Sequence, residues 1–167
     1  HSPFIVCDDV NIDNVADIAI AAKFRNNGQV CISPNRFYIQ ENVKDEFINA
    51  FINRAKKLKI GNGMDEGVNL GPLTTAKRLD EIEKLVDKTK KEGAEVLMGG
   101  KRPSGFNKGF YYEPTVFDKV EDNFTIMKEE PFGPLVPMLA FKSFDEVIER
   151  ANDNDLGLCS YLYTNSM

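Results

Sequence analysis

Strand-like and helix-like segments alternate along this chain, and that alternation constrains its fold more tightly than any other feature. Phe4-Ile5-Val6-Cys7 is a short apolar run that reads as a strand. From about Asp13 to Asn26, the residues Val15, Ile18, Ala19, Ala22 and Phe24 recur at mostly helical spacing, and Gly28 stands where a helix commonly ends. Arg36 to Gln40 is rich in β formers. The clearest helix runs from about Val43 to Lys59, with Val43, Phe47, Phe51, Ile52, Ala55 and Leu58 on one face and Asn42 as its cap. Lys56, Lys57 and Lys59 would lie in its last turn, where positive charge suits the helix dipole. A third helix spans about Thr75 to Glu92, with Leu79, Ile82, Leu85, Val86 and Thr89 inward, Gly93 as its stop, and pairs such as Asp80 with Lys84 on the wet face. Strands follow at Ala94–Met98, Tyr111–Val116 and Leu135–Phe141. Ser143-Phe144-Asp145-Glu146 is a capping box that starts a helix to about Asn152, and Cys159–Thr164 reads as the last strand. There is no internal repeat or linker, so the pattern predicts one α/β domain.

With 167 residues, 42% of them hydrophobic, the chain is long enough for a real core. Lys and Arg number 21 against 26 Asp and Glu, a net charge of −5, which argues against nucleic acid as the main partner. No apolar run approaches the ~20 residues that cross a bilayer. His1-Ser2-Pro3 leads straight into a strand-like run and not into a signal peptide, so the expected location is the cytoplasm. Three cysteines at wide spacing are not a disulfide framework, and no Cys-x-x-Cys suggests a metal. A single histidine, His1, excludes a His-Glu-x-x-His zinc site and leaves His1 as the one possible histidine partner for a nucleophile.

Two segments could carry chemistry. Gly28-Gln29-Val30-Cys31-Ile32-Ser33-Pro34 is a turn between a helix and a strand, where Cys31 can be presented at a sheet edge; a buried structural cysteine is the competing reading. Cys7 and Cys159 lie in or beside strand-like runs and read as small core residues. Glu129-Glu130-Pro131-Phe132-Gly133-Pro134 has two prolines that stiffen the backbone, enough to hold Glu130 and Phe132 at a defined angle to a ligand, or simply to make a rigid turn. The Gly-rich stretch from Gly61 to Gly71 follows a helix and misplaces the third glycine of a dinucleotide fingerprint, so it reads as a connector.

Phe24-Arg25-Asn26-Asn27-Gly28-Gln29-Val30-Cys31, followed by Asn35-Arg36, resembles the nucleophile segment of the NAD(P)-dependent aldehyde dehydrogenases. Glu130-Pro131-Phe132-Gly133-Pro134 resembles that family's Glu-x-Phe-Gly-Pro segment. Ser2-Pro3-Phe4-Ile5-Val6, Gly71-Pro72-Leu73, Glu113-Pro114-Thr115 and Ala151-Asn152 with Gly157-Leu158 fall in the family's order. The resemblance covers essentially the whole chain. It implies an open, mostly parallel α/β sheet with helices on both faces, the catalytic domain of the family, with residues 1–167 forming that domain. It implies Cys31 as the nucleophile, passing through a thiohemiacetal and a thioester to a carboxylic acid. Glu130 and Phe132 would contact the nicotinamide end of NAD or NADP, and Val30 and Ile32 would line part of the pocket for a small aldehyde.

Departures from the family set further expectations. Members are about three times longer; the glutamate base and the asparagine of the oxyanion hole would lie outside these residues, as would the nucleotide-binding domain. The isolated chain is therefore expected to be inactive, and the parent to be a homo-oligomer. The surroundings of Cys31, with no second cysteine beside it, look most like the succinate-semialdehyde type. Two alternatives remain open: an acylating member that passes the thioester to coenzyme A, and a non-catalytic scaffold that keeps the fold alone.

Overall fold

The computed structural model describes residues 1–166. Six strands form one sheet: β1 (Ser2–Val6), β2 (Pro34–Gln40), β3 (Glu95–Met98), β4 (Thr115–Asp118), β5 (Leu135–Phe141) and β6 (Tyr161–Tyr163). Their order is β3-β4-β5-β2-β1-β6, and every pairing is parallel except β3 with β4. The helices are α1 (Ile12–Phe24), α2 (Lys44–Ala55), α3 (Ala76–Glu92), the short α4 (Thr125–Lys128) and α5 (Phe144–Asn152). The expected open, mostly parallel sheet with helices on both faces is observed.

A parallel sheet must be covered on both faces, which is why its strands are continuous apolar runs and not alternating ones. Phe4 and Val6 of β1, Phe37 and Ile39 of β2, and Val136 and Met138 of β5 face α1 and α2. Ile5, Tyr38, Leu135 and Leu139 point the other way, toward α3 and the buried Val147 of α5. Phe24, Phe37, Phe47 and Phe51 meet at ring-centroid distances of 5.9–6.1 Å and knit α1, α2 and β2 together. Each such side chain contributes roughly 1.5–3 kcal/mol when fully buried.

The helix ends show where local signals held. Thr75 and Ser143 cap α3 and α5 by accepting the N–H of Arg78 and Glu146, and Gly93 ends α3 at φ 119°. Other expectations are corrected. Asn42 does not cap α2; its amide reaches Asp8 instead, and Lys56, Lys57 and Lys59 lie beyond the helix. Asp80 and Lys84 do not pair, whereas Arg78–Glu81 and Arg102–Glu83 do. The strand expected at Tyr111–Val116 forms at Thr115–Asp118, past Pro114, whose missing N–H cannot serve a ladder. Ile18 of α1 is exposed, because the inward stripe is Ile12, Val15, Ala16 and Ala19. Cys159, expected in the core, is half-exposed in the loop before β6.

Buried polar groups tie the strand ends together. Arg36 of β2 donates from Nε to His1 O at 3.1 Å and from Nη2 to Ala151 O at 2.9 Å, joining the start of β1 to the end of α5. The Tyr38 hydroxyl donates to Asp122 at 2.9 Å, and Arg150 donates to the other oxygen of that carboxylate at 2.8 Å. Burial, reinforced by Asp122, pushes the Tyr38 hydroxyl well above the usual tyrosine range. Phe51→Ala, which empties the centre of the aromatic cluster, should cost about 3–5 kcal/mol in urea unfolding.

Candidate active site

α1 ends at Phe24 because the next residues leave the helical region: Asn26, Asn27 and Gly28 have φ of 47°, 57° and 74°. Asparagine and glycine tolerate that left-handed conformation better than other residues do. The chain thereby reverses, and Ser33 N–H bonds Val30 O at 2.9 Å, closing a turn with Cys31 and Ile32 at its two central positions. The N–H groups of Cys31 and Ile32 take no part in that closing bond. Cys31 is exposed, whereas Cys7 is buried.

The turn is held from several sides. Tyr161, at the start of β6, donates its hydroxyl to Ile32 O at 2.8 Å. Asn27 donates to Gly71 O at 2.9 Å, and the Gln29 side chain accepts Thr74 N–H at 2.9 Å. From beneath, the Ser33 hydroxyl donates to Lys23 O at 3.2 Å and Lys23 Nζ donates to Asn35 Oδ1 at 2.7 Å.

A side chain at Gly28 would place its Cβ 2.2 Å from Gly133 O, so the backbone leading into the Cys31 turn lies directly against the Glu130–Pro134 segment. On its other side, a Cβ at Gly133 would fall 2.4 Å from Ile82 of α3. Glu130, half-buried, accepts from the His1 amino group at 2.9 Å, and the Phe132 ring lies with the Arg78 guanidinium 6.0 Å from its centre. Val30 is half-buried and Ile32 exposed, one on each side of Cys31. The two segments singled out by sequence are thus brought together.

They meet at the amino-terminal edge of the parallel strands: Cys31 precedes β2, Glu130 and Phe132 precede β5, and His1 precedes β1. Open α/β sheets more often bind ligands beyond the carboxyl ends. At that end a cavity of about 500 Å³ is lined by Cys7, Gln40, Phe144, Leu162 and Thr164. Among the described residues no three His, Cys, Asp or Glu side chains form a metal-ligand set, and no helix is long and apolar enough to cross a membrane.

An aldehyde dehydrogenase family model matches residues 1–167. The chain belongs to the aldehyde dehydrogenase family. It is 41% identical over 168 residues to 3,6-anhydro-alpha-L-galactose dehydrogenase of Vibrio sp. (strain EJY3), covering 99% of this chain and 35% of that protein. It is 39% identical to the mitochondrial succinate-semialdehyde dehydrogenase of Oryza sativa subsp. japonica, covering 100% of this chain and 31% of that protein. The solved structure of 3,6-anhydro-L-galactose dehydrogenase in complex with NAP superposes at a TM-score of 0.97 with 43% identity, covering 99% of this chain and 35% of that one. The chain therefore spans about a third of the length of these relatives.

Sequence reasoning missed Lys23, Asn35 and Tyr161 as supports of the turn. For Lys23 a signal existed: Ile12, Val15, Ala16, Ala19 and Lys23 form one i, i+3, i+4 stripe, so the lysine lies on the buried face. Asn35 and Tyr161 carry no such mark, because each acts through a bond to another segment, Asn35 to α1 and Tyr161 to the distant Ile32.

Two outcomes are expected. Iodoacetamide should label Cys31 well before Cys7, since burial, with Asp9 adding to it, pushes the Cys7 thiol upward; Cys31→Ser should remove the fast phase. Burial lowers the Lys23 ammonium to about 7, while Glu130 acts in the opposite direction. Between that pH and about 10 the unfolded lysine holds a proton that the folded one has lost, so Lys23 makes stability rise with pH there, by at most about 1.4 kcal/mol per pH unit. Below that range the full cost of charging the buried amine remains. In urea unfolding, the advantage of Lys23→Met over the unchanged chain should shrink as pH rises through this window.

Proposed function

We propose that these residues form the nucleophile-bearing part of an NAD(P)-dependent aldehyde dehydrogenase that oxidises a small aldehyde, succinate semialdehyde being the favoured candidate, to its carboxylic acid. The observation that carries the reading is Cys31: an exposed thiol at the centre of a turn whose backbone lies against the Glu130–Pro134 segment. The likeness to the rice succinate-semialdehyde dehydrogenase supports the substrate class.

In this reading the Cys31 thiolate attacks the aldehyde carbon, and its sulfur–carbon bond moves the carbonyl electron pair onto oxygen. The free Cys31 N–H at the turn can meet that oxyanion. Val30 and Ile32, flanking the sulfur, offer apolar surface to the aldehyde's carbon chain. Glu130, an acceptor with part of its carboxylate open, and the half-exposed Phe132 ring fit a ribose hydroxyl and a flat heterocycle respectively. Bound NAD(P)+ supplies the hydride acceptor. Loss of hydride from the former aldehyde carbon leaves a thioester on Cys31, and water releases the acid and restores the thiol. In this reading the base for that water, most of the nucleotide site and the contacts of a homo-oligomer lie outside these residues, which span about a third of the relatives' length.

The test is aldehyde-dependent reduction of NAD+ or NADP+, followed by nicotinamide absorbance. A polypeptide of these 167 residues alone should give no detectable turnover. In a polypeptide of the relatives' length that carries them, Cys31→Ser should lower the rate at least ~10³-fold, and Glu130→Gln should lower kcat on the order of tenfold. Undiminished oxidation by the Cys31→Ser protein sinks the nucleophile reading, and an acyl-coenzyme A product would favour the acylating alternative.

A further inference from the structure

Lys23 is fully buried, on the last turn of α1, beneath the segment that carries Cys31. It touches that segment on both sides of the cysteine. Its carbonyl oxygen accepts from Ser33 and would lie 3.4 Å from a Cβ at Gly28, and its Nζ donates to Asn35 Oδ1 at 2.7 Å. Three N–H bonds on the ammonium have this one acceptor among the described residues. A lysine is seldom fully buried without an ion pair, and hydrophobic packing alone would be served better by leucine or methionine.

We propose that Lys23 is the positioning residue of the Cys31 turn: fully buried, with its carbonyl oxygen holding Ser33 and its Nζ seated on Asn35, it sets how readily the Cys31 thiol reacts. The inference rests on the reading of Cys31 as the nucleophile. Burial brings the Lys23 ammonium down to about 7, with Glu130 opposing, so its charge changes in a range close to that of a thiol. The groups around it come from three elements. Glu130, on the segment before β5, is held by the His1 amino group at the start of β1. Arg36 of β2 points to the opposite face of the sheet from Asn35 and is committed to the carbonyls of His1 and Ala151. Ser33 and Asn35, its direct partners, are neutral. A protonated Lys23 therefore places positive charge on the buried side of the turn, where it favours the thiolate of Cys31. Once deprotonated, it keeps its volume and loses that field.

Alkylation of Cys31 by iodoacetamide, followed by mass spectrometry across about pH 5 to 9, tests this on the unchanged chain, Lys23→Met and Asn35→Asp. The unchanged chain should show an inflection near pH 7 besides that of the thiol itself. Lys23→Met should abolish the inflection and slow alkylation below it by at least about threefold. Asn35→Asp, which sets a carboxylate against Nζ, should move the inflection upward by about one pH unit or more. Superimposable profiles from three proteins with the same circular dichroism overturn the proposal. Should Lys23→Met fail to fold, Asn35→Asp and a ¹³C NMR titration of the lysine ε-carbons in the unchanged chain decide. One lysine titrating near neutrality supports the proposal, and every lysine titrating above about 9 overturns it. A Cys31 that stays inert in every variant at every pH instead overturns the nucleophile reading, and this inference with it.

Discussion

At Gly28 and Gly133 two backbones come so close that no side chain fits between them, and the rest of the site depends on that contact. Gly28 adopts a left-handed conformation at the end of the reversal that follows α1, and Gly133 is pressed from its other side by Ile82 of α3. The thiol-bearing turn and the proline-stiffened segment with Glu130 and Phe132 are therefore fixed relative to one another by main chain. Backbone is a firmer reference than side chains, which have rotamers to choose among. In the proposed function a reacting sulfur and a cofactor-facing carboxylate need that firmness, since misplacement on the scale of an ångström costs orders of magnitude in rate.

The sheet supplies the frame on which this contact is built. β2 and β5 are adjacent and parallel, so the segments that enter them arrive side by side at one edge. β1 and β6 enter at the same edge and bring the His1 amino group to Glu130 and the Tyr161 hydroxyl to Ile32. Buried polar groups concentrate here: His1, Ser2, Lys23, Ser33, Asn35 and Arg36 are all nearly inaccessible. Such groups are costly unless partnered; here Lys23, Ser33 and Asn35 bond one another behind the turn, and Arg36 bonds the carbonyls of His1 and Ala151.

Much of the fold could be read in the order of residues. β5 occupies the stretch expected of it, and α3 and α5 begin at the caps that Thr75 and Ser143 provide. Where reading fell short, a distant partner had intervened. Asn42 satisfies Asp8 across the fold and so leaves α2 without a side-chain cap. β4 starts only where β5 lies alongside to pair with it. Cys159 looked like core by its apolar neighbours, yet it lies in a loop that the sheet leaves half open. Of the site, Cys31, Glu130 and Phe132 were singled out through the resemblance of their segments to the family's; the local residues alone left Cys31 open to a buried structural reading, which its exposure excludes. Asn35 and Tyr161 were not, because each acts through a bond to a residue outside its own segment.

By itself the sequence determined the alternation of strands and helices, the apolar runs that require cover on both faces, the Asn-Asn-Gly segment that tolerates a left-handed turn, and the Pro-Phe-Gly-Pro segment that its prolines stiffen. These are properties of neighbours along the chain, set by hard-sphere sterics and by side-chain periodicity. Tertiary structure alone decided that the two segments touch, that they do so at the amino-terminal edge of the strands, and that a lysine on an otherwise apolar stripe ends against Ser33 and Asn35. Strand order is fixed by burial summed over the whole sheet, and no local stretch encodes which strand becomes its neighbour's neighbour.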